Sequence, residues 1–218
     1  MDNFFSADGP AMKFLTALCN LIFVNILFII YSIPIITIGS SLSALYRITI
    51  SILAGNNPSV FKEFNKSFIK CFAKSTVAWL ILLAAAALFI SELYICYFVL
   101  DGTYYWLSYP VIFVLCFVLA IAFYIFPLNS WFEETLKTLF KNSILIAVTN
   151  LPQTIFFIVV TGVIVYIAYK QPVVVLSLML FIGFALIALI YSAFLKKIFE
   201  NHGAVIDTRE LKEEQREP

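Results

Sequence analysis

The chain has 218 residues, 62% of them apolar, 17% aromatic and only 12% charged. Soluble domains run nearer half apolar and a quarter charged, so a water-soluble fold of this size is excluded and lipid is the expected solvent. The net charge of +1 says little by itself, because the placement of Lys and Arg along a membrane chain matters more than their sum.

Met1 to Met12 is a short polar start. Phe14 to Ile33 then runs without a charge, long enough to cross a bilayer at about 1.5 Å per residue. A cleaved signal peptide is the rival reading, with Ser41-Leu42-Ser43 as a faint cleavage site. The apolar run is too long for that and is preceded by one basic residue, Lys13, so an anchor is expected. Ser32-Ile-Pro34-Ile-Ile-Thr37-Ile-Gly39 breaks the helix, because Pro34 removes a backbone donor and Gly39 permits a tight turn. Ser40 to Ala54 is apolar again but carries Ser40, Ser41, Ser43, Arg47, Thr49 and Ser51. Small residues let helices approach closely in lipid. The stretch reads as a sixth span or a re-entrant helix. A span is preferred because it puts Lys13 on the same side as the lysines that follow.

Gly55-Asn-Asn-Pro58 ends that segment. In Val60–Ser75, Phe61, Phe64, Phe68 and Phe72 recur every three or four residues and Lys62, Lys66, Lys70 and Lys74 every four. A helix with a ring stripe beside an ammonium row is expected to lie in a membrane surface, rings down. Asn57 suits its cap and Pro58 its first position. Val77 to Leu100, with Glu92 as its single charge, reads as the span it feeds. Asp101-Gly102 is a turn. Tyr104 to Phe126 is a span stopped by Pro127. Asn129 to Lys141 reads as a second interfacial helix, with Ser130 and Glu133 as a capping box, Glu133–Lys137 as an i,i+4 pair, and Trp131, Phe132, Leu136, Leu139 and Phe140 as its apolar side. Asn142–Tyr169 and Pro172–Leu195 are the last spans, and Asn150-Leu-Pro152 can kink the first of them. The expected fold is therefore all-α: a polytopic transmembrane helix bundle of six spans (alternatively five plus a re-entrant helix) with two cytoplasmic-side amphipathic interfacial helices. Residues 1–203 form the bundle and 204–218 a charged, solvated tail. Lys70–Ser75 and Lys137–Asn142 echo one another, as a diverged repeat or as the ordinary start of a span.

Placing the basic rows in the cytoplasm puts Lys62 to Lys74, Lys137, Lys141, Lys196 and Lys197 inside. Tyr94, Tyr97, Tyr104, Tyr105, Trp106, Tyr109, Tyr166 and Tyr169 then gather at the outer boundary. The carboxyl terminus is cytoplasmic, and with six spans the amino terminus is as well; five spans put it outside. A multi-pass cell-membrane protein with anionic headgroups at its inner face is expected.

Few residues suggest chemistry. Glu92 lies within a span, where a carboxylate must pair, protonate or meet water. A Glu92–Arg47 bridge is expected as the candidate intramembrane polar pair, either as bundle glue or as a proton or cation site. Asn20, Asn25, Asn150 and Gln153 suit interhelical hydrogen bonds. Cys19, Cys71, Cys96 and Cys116 form no disulfide or zinc pattern and read as small apolar groups. His202 is the single histidine and sits near a helix end. No nucleophile elbow, zinc-protease motif, P-loop or dinucleotide fingerprint occurs. No enzyme activity, cofactor, metal or nucleic-acid partner is expected.

The Ser32–Gly39 turn, followed by Ala44-Leu45-Tyr46, resembles the YesL family of bacterial integral membrane proteins, whose members carry Leu-Pro-x-x-Thr-x-Gly and Ala-Leu-Tyr there. Lys141-Asn142-Ser143 and Asn150-Leu-Pro152 fit that family's second half. Ile33 stands where Leu is usual. The resemblance makes Pro34, Thr37, Gly39, Ala44, Leu45 and Tyr46 signature positions, supplies no catalytic residue, and implies a domain of unknown function often encoded beside carbohydrate-uptake ABC transporters. Two functions are expected to compete. One is a non-enzymatic accessory or regulatory partner of such a transporter, docking through Lys62, Lys66, Lys70, Lys74, Lys137 and Lys141. The other is a small stand-alone transporter or channel using Glu92.

Overall fold

The computed structural model describes residues 10–56, 59–99, 105–132 and 134–201. All regular structure among them is helical. α1 (Pro10–Tyr31) ends in a turn with one 3₁₀ step at Ile35–Thr37. α2 (Ile38–Leu53), α3 (Val60–Tyr94) and α4 (Ser108–Trp131) follow, then α5 (Leu136–Thr149), α6 (Leu151–Lys170), α7 (Pro172–Leu178) and α8 (Phe184–Asn201). A π turn at Ile95–Val99 extends α3, and another at Met179–Gly183 joins α7 to α8. Six helices are long and apolar enough to cross a membrane, with α7 and α8 counted as one. The bundle character expected from the composition is present.

Neighbouring helices alternate in direction. Ser43 and Ser40 of α2 meet Ser75 and Thr76 of α3, and the positive φ of Gly55 (78°) helps turn the chain between them, a conformation glycine adopts without strain. Asn129 of α4 reaches Ser75, and Trp79 packs on Phe126, so α3 and α4 are antiparallel. Phe123 of α4 meets Phe157 of α6, and Phe156 and Phe157 meet Phe194 and Tyr191 of α8. The core lies where these helices converge, around the fully buried Tyr124, Phe157, Phe64, Leu45, Ile48 and Leu195.

Several expectations need correction. The basic stretch and the following span form one uninterrupted 35-residue helix. Nothing between Ser75 and Val77 breaks a helix, and the alanines and leucines beyond propagate one. The phenylalanine stripe is split. Phe64 is fully buried and, with Phe68, packs edge-on against Tyr31, while Phe61 and Phe72 stay exposed. Ser59 precedes α3 without a side-chain cap; Asn57 and Pro58 lie outside the described residues.

α4 runs through Pro127 to Trp131 instead of stopping there. A membrane helix tolerates such a proline when neighbours serve its backbone. Ser130 is thus the end of α4 and donates to the Pro127 carbonyl at 2.7 Å, so it caps no new helix. Thr135 does, accepting from the Thr138 amide. Glu133 and its pair with Lys137 lie outside the described residues, as do Asp101, Gly102, His202 and residues 204–218. The expected span from Asn142 to Tyr169 is divided at Asn150, with Pro152 in the first turn of α6, where its missing N–H is harmless.

Candidate functional site

The best-defined polar constellation lies where α2, α3 and α4 converge. On α2, Ser40, Ser43, Arg47 and Ser51 follow at spacings of three and four, so they share one face. Gly39 opens that face. A Cβ there would run into the Ser75 carbonyl and come within 2.7 Å of the Trp79 Cβ, so only glycine allows this approach. Trp79 in turn donates its indole N–H to the Ile35 carbonyl at 2.8 Å. Thr37 closes the preceding turn, its hydroxyl 2.6 Å from the Tyr31 carbonyl and 2.7 Å from that of Pro34. Ala44, Leu45 and Tyr46 are buried core. The six signature positions therefore build a turn and a tight helix pair.

Beyond Gly39 the hydroxyls form a directed chain. Ser43 donates to the Phe126 carbonyl at 3.1 Å, which uses its single proton. Ser75 must then donate across the 2.7 Å contact to Ser43, and it accepts from the Asn129 amide at 2.6 Å. Ser40 and Thr76 pair at 3.1 Å, and Thr49 meets Ser192 of α8 at 2.8 Å. Each hydroxyl is buried and bonded, as buried polar groups must be.

Arg47 stands one turn past Ser43. It donates to the Ser130 carbonyl at 3.1 Å, with its guanidinium carbon 4.9 Å from the Trp131 ring centroid. Cys71 donates to the Asn129 carbonyl and the Phe132 amide to that of Leu128. The last carbonyls of α4, which no intrahelical donor reaches, are therefore held from α2 and α3, and the arginine charge sits at the negative end of the helix dipole.

The structure does not bring Glu92 to Arg47. Glu92 is exposed and lies seventeen residues beyond Ser75 on α3, about 25 Å along the axis. Arg47 lies a turn from Ser75 in the opposite direction, which separates the two by about 30 Å. Matching their depths from separate helix ends failed because α2 pairs with the basic half of α3, from Trp79 back toward Val60, and not with its apolar half.

Among the basic rows, Lys62, Lys66, Lys70, Lys137 and Lys141 are exposed and Lys74 is half-buried. Of the span amides, Asn25 is fully buried. It donates to the carbonyls of Met179 and Leu180 and accepts from the Ala185 amide, all at 3.0 Å, which satisfies the backbone that the π turn leaves unpaired. Asn150 donates to the Ile146 carbonyl at the α5–α6 break. Asn20 and Gln153 are half-buried on α1 and α6. Among the described residues no group of three potential metal ligands converges. The four cysteines are free thiols.

Sequence reading missed Asn129, Ser75 and the arginine cap. The serine spacing on α2 was the available signal; the partners across the seam had none.

These helices coincide with a recognisable segment. Residues 17–93 match a family model described as "Protein of unknown function, DUF624". The match takes in most of α1, all of α2 and nearly all of α3, and so the whole glycine-led turn and the basic helix. No curated protein and no solved structure matches the chain.

Proposed function

We propose that this chain is a non-enzymatic membrane protein that assembles with, or regulates, a carbohydrate-uptake ABC importer, with the basic half of α3 as its docking surface. The observation that carries this reading is the two-faced character of α3 before Ser75. Val60, Phe64 and Cys71 are buried, whereas Lys62, Lys66 and Lys70 are exposed beside Phe61, Ile69 and Phe72. At about 52 Å, α3 exceeds the ~30 Å hydrocarbon layer by some six turns, and the lysines place that excess on the cytoplasmic side. A rigid ridge of alternating charge and rings suits a protein partner with an acidic, partly apolar groove. The importer as partner class rests on the YesL-like turn. Polar side chains within the bundle are engaged in helix-to-helix bonds, which fits a scaffold better than a conduit. Glu92, exposed far from the serine seam, gives a stand-alone transporter no lining group.

The test is co-purification of the tagged full chain from native membranes. Importer subunits are expected to follow the wild type and to be lost from a Lys62→Glu/Lys66→Glu/Lys70→Glu variant that still elutes as a folded protein. Sugar flux in liposomes holding this chain alone would replace the reading with the transporter one.

A further inference from the structure

A second feature lies at the depth of the lysine row but inside the bundle. Three donors there are buried without an acceptor: the Ser51 hydroxyl, the Trp131 indole N–H and the Asn56 side-chain amide. Ser51 itself is only 1% exposed. The three are linked through Arg47. Its guanidinium lies over the Trp131 ring. Ser51 is one turn further along the same face of α2, and the Asn56 amide bonds the Ser51 carbonyl at 3.2 Å. The antiparallel pairing of α2 with α3 sets Arg47 level with Cys71, between Lys70 and Lys74.

Buried donors without acceptors are destabilising, on the order of 1–3 kcal/mol each, and a protein keeps them where something outside the chain accepts. Here they surround a cation and present no carboxylate among themselves. Carbonyl acceptors of α4 are already engaged, Ser130 by Arg47 and Asn129 by Cys71. What fits several convergent N–H and O–H donors beside a guanidinium is an oxyanion with many lone pairs. A basic pocket between helix ends at headgroup depth is where acidic lipid headgroups bind.

We propose that Arg47, Ser51, Asn56 and Trp131 form a binding site for a phosphate-type anion between the inner ends of α2 and α4, supplied by the phosphodiester of an acidic phospholipid or by free phosphate. The site is separate from the α3 ridge: its donors point into the α2–α4 seam, and it stands or falls without a protein partner. Ligand entry requires Trp131 and Asn56, both half-buried, to swing aside from the seam.

The test uses the full chain in a zwitterionic detergent, with phosphatidylglycerol, phosphatidylcholine or inorganic phosphate added, reading thermal unfolding and lipid retention by native mass spectrometry. The informative variant is Ser51→Ala/Trp131→Phe, which removes two donors and keeps the ring under Arg47. Without ligand it is expected to unfold at or above the wild-type temperature, because two orphaned donors are gone. Its retention of phosphatidylglycerol is expected to fall at least about tenfold, the usual effect of deleting a hydrogen bond to a charged group. A Lys62→Gln/Lys66→Gln/Lys70→Gln variant, which weakens surface adsorption only, is expected to keep the specific retention. Stabilisation by inorganic phosphate, lost in the double variant, would support the site with free phosphate as its source. Equal lipid responses in wild type and double variant, or no response in the wild type, would overturn the proposal.

Discussion

Arg47 shows how one side chain can be read correctly in kind and wrongly in partner. Its charge inside an apolar segment demanded compensation, and it is compensated by a carbonyl and an indole face. A double-mutant cycle separates the two readings. Arg47→Gln with Trp131→Leu is expected to show a coupling of about 0.5–2 kcal/mol, the range for a partly desolvated cation over an aromatic ring. Arg47→Gln with Glu92→Gln is expected to be additive within about 0.5 kcal/mol, and Glu92→Gln alone to leave folded yield in detergent unchanged. What the sequence disclosed here was the need for a partner. It concealed the identity, because the acceptor is a main-chain carbonyl whose availability depends on where α4 ends, and Pro127 suggested an earlier end.

At the level of helices, periodicity located every long element, yet it misjudged where several stop. Prolines and basic rows were taken as punctuation. In this bundle α3 passes from its lysines into its apolar half without interruption, and α4 passes through a proline, because neighbouring side chains serve the backbone that would otherwise fray. Asn150-Leu-Pro152 did break its span, since no such neighbour rescues it and Asn150 leaves helical geometry (φ −115°, ψ 48°). The closeness of α2 to α3 is a second element-scale property, and it rests on Gly39. Gly39→Ala is expected to push the two helices apart and destabilise the protein by about 1–3 kcal/mol, as overpacking does. Gly162→Ala, where a Cβ meets nothing within 4 Å, is expected to be neutral or stabilising by up to about 1 kcal/mol. Thermal unfolding of both variants under one detergent condition checks the contrast.

Across the whole molecule, Asn25 ties the first helix to the last. Its three bonds to Met179, Leu180 and Ala185 close the bundle between segments more than 150 residues apart in sequence, and Phe28 stacks on Phe184 one turn further. Asn25→Leu leaves two carbonyls and an amide unpaired at the π turn. It is expected to destabilise the protein by about 2–4 kcal/mol, lowering the melting temperature by several degrees, with faster amide exchange concentrated at residues 179–185. The polar character of Asn25 was legible in the sequence as an interhelical donor. The π turn it serves was not, because nothing in Met179–Gly183 departs from an ordinary apolar run.

Since α3 carries no hinge over its whole length and is gripped by α2 near its midpoint at Gly39 and Ser75, it works as a lever with a fulcrum. Any tug on its lysine-bearing arm is delivered, reversed in direction, to the tyrosine-rich arm at the opposite membrane face.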